Sequence, residues 1–226
     1  DLGEFVKIFT ERLAKRGHSR LLLILAGQPA IIGHLRESHE SSLRVFQIME
    51  MRPLEYQERK EVVRRGLNIA NAKNREKTEI DDAALELIAS LSEGYPHFVQ
   101  QFSFSAFQAD TDGHIEEKDV LDGAYSENGA ILQLGAKYFS DMYYSKIASS
   151  DYRKVLDFMA DHGDAWVSRK DIVDGCGVAR TNVDNALTAL KEREIIMSDE
   201  ARRGFYRLPT KSFATWIQAV ARSTRD

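Results

Sequence analysis

Beyond residue 150, five segments follow one another at lengths that leave few ways to fold. Residues 152–162 place Val155, Leu156 and Met159 on one face of a predicted helix, which Gly163 ends. Ser168 stands as an N-cap before a short helix, 169–174, that buries Ile172 and Val173. A tight turn at 175–178 leads into a longer helix, 181–193, where Val183, Leu187 and Leu190 recur at helical spacing. Segments 195–198 and 205–208 then flank the polar turn 199–204 as the arms of a hairpin. Pro209 opens a last helix that turns Phe213, Trp216 and Ile217 inward.

Helix, helix, turn, helix and hairpin in this order make a winged helix-turn-helix. The outer face of the 181–193 helix offers Arg180, Asn182, Asn185 and Lys191, and the wing offers Arg202, Arg203 and Arg207. In a DNA-binding reading the helix enters the major groove, the asparagines read adenine edges and the wing arginines meet phosphates. Asp184 sits among these residues, with Glu192, Glu194, Asp199 and Glu200 around them, and each repels phosphate. The same face therefore also suits a protein surface. Charge does not separate the two readings. The chain carries −4 overall, but residues 151–226 hold 13 Lys/Arg against 12 Asp/Glu. DNA contact would rest on where charge is placed rather than on its total.

Ahead of the winged helix the pattern changes twice. Leu2, Phe5, Val6, Phe9 and Leu13 predict an amphipathic first helix stopped at Gly17. The continuous apolar run 21–26 predicts a strand buried in a parallel sheet, followed by a short helix over 30–36. Val45, Phe46, Ile48, Met49 and Met51 suggest a second strand ended by Pro53. From residue 55 onward the signals are helical: 55–72, then 81–91 behind an Asp81 cap, 98–109, 116–125 and 131–147. Gly94-Tyr95-Pro96 interrupts the series. The expected chain is mainly α, with 1–54 the rear portion of an α/β core, 55–149 a helical lid bundle and 150–226 the winged helix.

Leu21-Leu22-Leu23-Ile24-Leu25-Ala26-Gly27-Gln28-Pro29 resembles the sensor-1 strand of AAA+ ATPases, and its last five residues are similar to AAA+ proteins of secretion and DNA transposition. Arg44 stands where such families place an arginine finger, and Met51-Arg52-Pro53-Leu54 leads into a helix as their L-x-P-L segment does. Gly94-Tyr95-Pro96 resembles the G-x-P motif of STAND-type ATPases and the sensor-2 position of replication initiators. The resemblance implies that Gln28 orients the water attacking a γ-phosphate and that Arg44 neutralises transition-state charge in a neighbouring subunit. It implies that Gly94 and Pro96 let backbone approach the nucleotide, with Tyr95 or His97 near base or phosphates. Each has a plainer alternative. Gln28 caps a helix, Arg44 is a surface arginine, and 94–97 is an ordinary helix–helix connection.

No G-x-x-x-x-G-K-[ST] and no apolar strand ending in paired acids occur in the sequence. In the family both lie upstream, so the resemblance implies the rear part of a longer ATPase, starting just after the magnesium-holding strand. ATP and Mg would belong to the full-length parent, and this chain alone is expected neither to bind them well nor to hydrolyse ATP. The implied partners are the missing P-loop segment, other subunits, a regulatory protein and DNA. A winged-helix module or a protein adaptor without nucleotide chemistry remains the alternative. The single cysteine, Cys176, excludes an intramolecular disulfide, and the six histidines are scattered without metal-ligand spacing, so no metal site is expected. With no signal segment or membrane-length apolar run, a cytoplasmic protein away from membranes is expected.

Overall fold

The computed structural model describes residues 2–18, 20–27, 30–38 and 42–221, and the chain is mainly α-helical. It divides into two compact units, Asp1–Arg52 and Pro53–Asp226. None of its described helices is long and apolar enough to cross a membrane.

The first unit contains α1 (Leu2–Lys15), α2 (Ala30–Ser38) and a 3-10 turn, Ser42–Val45. Val6 and Leu35 are buried there. The two expected strands do not form. Residues 20–27 and 46–55 have no regular structure, and Leu22, Ile24, Met49 and Met51 are 82%, 75%, 77% and 89% exposed. The physical reason is that a parallel strand exists only through its neighbours. Among the described residues of this unit no strand stands beside either run, so apolar content has nothing to pair with.

The second unit begins with α3 (Tyr56–Lys73), whose start is fixed by a capping box in which the Glu55 N–H donates to Glu58 Oε2 at 2.8 Å. A two-residue strand β1 (Glu79–Ile80) runs parallel to β2 (His114–Ile115), with Glu79 opposite His114 and Ile80 opposite Ile115. Around this ribbon lie α4 (Asp82–Leu91), α5 (Pro96–Ala109) and α6 (Glu117–Tyr125), joined by α7 (Ala130–Leu134). Leu85, Ile88, Val99, Phe102, Ala106 and Val120 fill the space between them. The single helix expected over 131–147 instead continues beyond α7 as two π-helical turns, Gly135–Phe139 and Asp141–Ser145.

The winged helix has the predicted order: α8 (Ser150–Ala160), β3 (Val167–Ser168), α9 (Arg169–Gly175), α10 (Arg180–Glu192), β4 (Met197–Ser198), β5 (Phe205–Arg207) and α11 (Lys211–Trp216). Its antiparallel sheet has the order β3-β5-β4, and the Ser168 hydroxyl accepts from the Asp171 N–H at 3.1 Å as the cap of α9. The strand β3 escapes sequence reading because two residues carry no periodicity.

Buried residues from Val63 to Ala221 form one continuous cluster, so the lid helices and the winged helix share a core. Trp216 is its centre, with ring centroids 6.0 Å from Phe139 and 5.7 Å from Tyr143. Its indole lies so close to Gly135 that a Cβ there would be 2.0 Å from Nε1. Trp216→Ala is expected to cost about 3–5 kcal/mol in chemical denaturation. A loss below about 1 kcal/mol would show that the two segments do not depend on a common core.

Candidate functional site

Residues 91–97 end one lid helix and start the next, and two left-handed residues make the corner. Glu93 has φ 53° and Gly94 φ 86°. A side chain at Gly94 has no room, since its Cβ would lie 2.6 Å from the Leu54 carbonyl oxygen. The Leu54 N–H donates to Gly94 O at 2.7 Å. Arg59 completes the junction, its Nε donating to Leu54 O and its Nη1 to Ala89 O, both at 2.9 Å. The close approach that Gly94 permits is thus made by the chain's own backbone.

Tyr95 is the N-cap of α5, packs its ring 5.1 Å from that of Phe98 and supplies no side-chain cap. Pro96 follows at the first helical position, where its fixed φ suits the helix and its missing N–H costs nothing. Both are exposed. His97 is half-buried and sets its ring edge-on to Tyr138 at 5.4 Å. Its Nε2 is buried and has no hydrogen-bond partner. A buried imidazole nitrogen without a partner carries a desolvation cost.

On the other side of the corner the Glu93 carboxylate reaches the winged helix. Its Oε2 accepts from the Lys211 N–H at 2.7 Å, and its Oε1 from the Ser212 N–H and hydroxyl at 2.9 and 3.1 Å. Thr210 Oγ1 accepts from the Phe213 N–H at 3.1 Å, so three successive first-turn donors of α11 are satisfied. Sequence reading missed Glu93 because its partners lie more than a hundred residues away.

Gln28 lies outside the described residues. Arg44 is exposed on the 3-10 turn of the first unit.

On the winged helix the expected contact residues divide into two sets. Arg180, Asn185, Lys191 and Arg203 are exposed. Asn182 donates to Asp151 Oδ2 at 2.7 Å, Arg202 pairs with Asp199 at 2.6 Å, and Arg207 stacks over Trp166 at 4.9 Å. The Arg202 guanidinium also lies 4.7 Å over the Phe205 ring. Asp184 is held by a two-pronged bond from Arg169, Nε at 2.6 Å and Nη2 at 2.7 Å. That bond keeps the Asp184 carboxyl below its ordinary value, and the Arg202 bond does the same for Asp199. Trp166 and Arg169 were not legible as partners, since the turn between α9 and α10 brings Arg169 to Asp184.

No family model matches the chain, and no curated protein matches its sequence. Among solved structures, the K64R mutant of Thermotoga maritima RuvB is 20% identical, with a TM-score of 0.37 over 77% of this chain and 53% of its own. The Thermotoga maritima RuvB Holliday junction branch migration motor is 18% identical, with a TM-score of 0.35 over 74% of this chain and 50% of its own. The chain spans about half the length of these proteins.

The Asp184–Arg169 pair has a defined pH signature. A carboxyl depressed by folding adds stability above its unfolded value of about 3.9, and loses it as pH falls through the lower folded value. In an NMR titration the Asp184 midpoint should lie below that of an ordinary aspartate, and Arg169→Gln should raise it. An Asp184 midpoint indifferent to Arg169 would rule the pairing out.

Proposed function

We propose that this chain is the C-terminal part of an AAA+/STAND-type P-loop ATPase, working as a nucleotide-dependent switch. The observation that carries the reading is the continuity of residues 93–97. At one end stands the unpartnered Nε2 of His97, and four residues earlier the Glu93 carboxylate holds the first turn of α11. A group that engages His97 bears on the same short corner that fixes the winged helix.

In this reading the phosphate cradle and the magnesium ligands lie in an upstream segment, and ATP is the parent's cofactor. His97 offers a hydrogen bond to the nucleotide, and the exposed Tyr95 offers a ring face beside it. The winged helix is the effector. Where it meets DNA, Arg180, Lys191 and Arg203 contact phosphates and Asn185 reaches a base edge. The pairing of Asn182, Asp184, Arg202 and Arg207 within the protein keeps that contact small and leaves a regulatory protein as the other effector surface. A second reading, a winged-helix module without nucleotide chemistry, is favoured by one fact: the Leu54 backbone occupies the space beside Gly94.

The readings separate in the protein extended upstream through its P-loop. His97→Ala should weaken ADP binding at least tenfold, about 1.4 kcal/mol. Glu93→Gln should leave ADP affinity in place while removing nucleotide-dependent changes in hydrogen exchange at 205–216. ADP affinity unchanged by His97→Ala removes His97 from the nucleotide site, and no ADP binding by the extended protein favours the module without nucleotide.

A salt titration of duplex DNA binding addresses the effector. Replacing Arg180, Lys191 and Arg203 by alanine should reduce the slope of log K against log salt by about 2.7, near 0.9 per lost phosphate contact. An unchanged slope excludes these three as the DNA contacts.

A further inference from the structure

We propose that Asp81, His114 and Glu116 form a binding site for a borderline divalent cation of the zinc class, at the open edge of the β1–β2 ribbon. One ligand atom from each residue lies within 4.8 Å of the other two. Three atoms bound tetrahedrally to one ion at about 2.0–2.2 Å stand about 3.3–3.6 Å apart, so the Asp81–His114 pair, now 2.9 Å apart, opens slightly and gives up its hydrogen bond while any wider pair closes.

The backbone beneath the triad is fixed on every side. Besides the parallel register of β1 and β2, the Asp81 N–H donates to Ile115 O at 3.1 Å. The His114 N–H is held by Asp112 Oδ1 at 2.9 Å and Asp110 Oδ1 at 3.3 Å. Strand alternation then sorts the side chains. Ile80 and Ile115 turn into an apolar cavity of about 380 Å³, which Val63, Ile88 and Phe104 also line. Their chain neighbours Asp81, His114 and Glu116 are left on the polar side.

One of the two carboxylates is turned to the imidazole rather than to its own helix. Asp81 occupies the N-cap position of α4, where an aspartate usually accepts from the helix, yet it makes no capping bond. Its Oδ1 instead stands 2.9 Å from His114 Nε2. Glu116 caps α6 through a capping box with Asp119, and its carboxylate still belongs to the triad. One imidazole nitrogen with two carboxylate oxygens suits zinc and its neighbours in the first transition row. Calcium and magnesium call for six or more oxygens. The Asp81 and His114 side chains are 48% and 43% exposed, which leaves the remaining coordination positions to water. A bound ion would tie together the starts of α4 and α6 through β2.

The test is isothermal titration of Zn²⁺ into the chelator-stripped chain at neutral pH, with Ca²⁺ as a second arm. One Zn²⁺ per chain is expected. His114→Ala and Asp81→Asn should each weaken it by at least the 10–100-fold known for changes behind a ligand, while His162→Ala should not. Asp81→Asn keeps the side-chain shape and removes no helix cap, so it decides the matter if His114→Ala disturbs the ribbon. No Zn²⁺ binding by the wild-type chain, equal binding by the variants, or Ca²⁺ binding as tight as Zn²⁺ would each overturn the site.

Discussion

The Glu93 carboxylate stands at the junction on which the second unit depends. The helix α11 runs on directly into a π-helical turn, Ile217–Ala221, and its first N–H donors, like those of any helix, need partners from outside it. Glu93 meets two of them with a full negative charge at the positive end of the helix dipole. To place that carboxylate the backbone turns left-handed at Glu93 and Gly94, and this turn aims α5. With α11 seated, Phe213 and Trp216 enter the core between the π-helical turns and α8.

Much of the architecture was legible in the sequence, and what was not shares one character. The winged helix could be read because each of its helices carries its own stripe, cap or turn residue, as Ser168 and Val183–Leu187–Leu190 do. The run 21–26 misled because a buried strand is defined by neighbours outside its own sequence. The Asp81 cap misled in a related way: the residue is in place, but a histidine 33 positions along the chain competes for its carboxylate. Within the candidate site, Gly94-Tyr95-Pro96 announced a corner, whereas the contact that makes Gly94 necessary, the Leu54 backbone, could not be foreseen. Glu93, Trp166 and Arg169 were silent for the same reason.

The electrostatics of the winged helix follow from local pairing rather than from net charge. Two of the acids that appeared to oppose an anionic partner are neutralised by pairing, Asp184 by Arg169 and Asp199 by Arg202, while Glu192, Glu194 and Glu200 stay exposed. The same pairing ties Arg202 to Asp199 although it stays exposed, and stacking on Trp166 half-buries Arg207. What is left is a sparse set of cations, Arg180, Lys191 and Arg203, interspersed with the exposed Glu192, Glu194 and Glu200. Such a face favours a partner that supplies shape and hydrogen bonds over one that supplies only negative charge.

The hydrogen bond between Leu54 and Gly94 has a mechanical consequence. Pro53 and Leu54 are where the chain enters the second unit, and this bond fastens the entry segment to the corner that starts α5. Tension on the backbone upstream of Pro53 is therefore delivered at Gly94 and, through Arg59, at the start of α3. Arg59 stiffens the attachment by holding Leu54 and Ala89 at once. The chain enters this unit through a short tether tied to the corner between α4 and α5, and a pull on that tether is felt at Glu93 and His97.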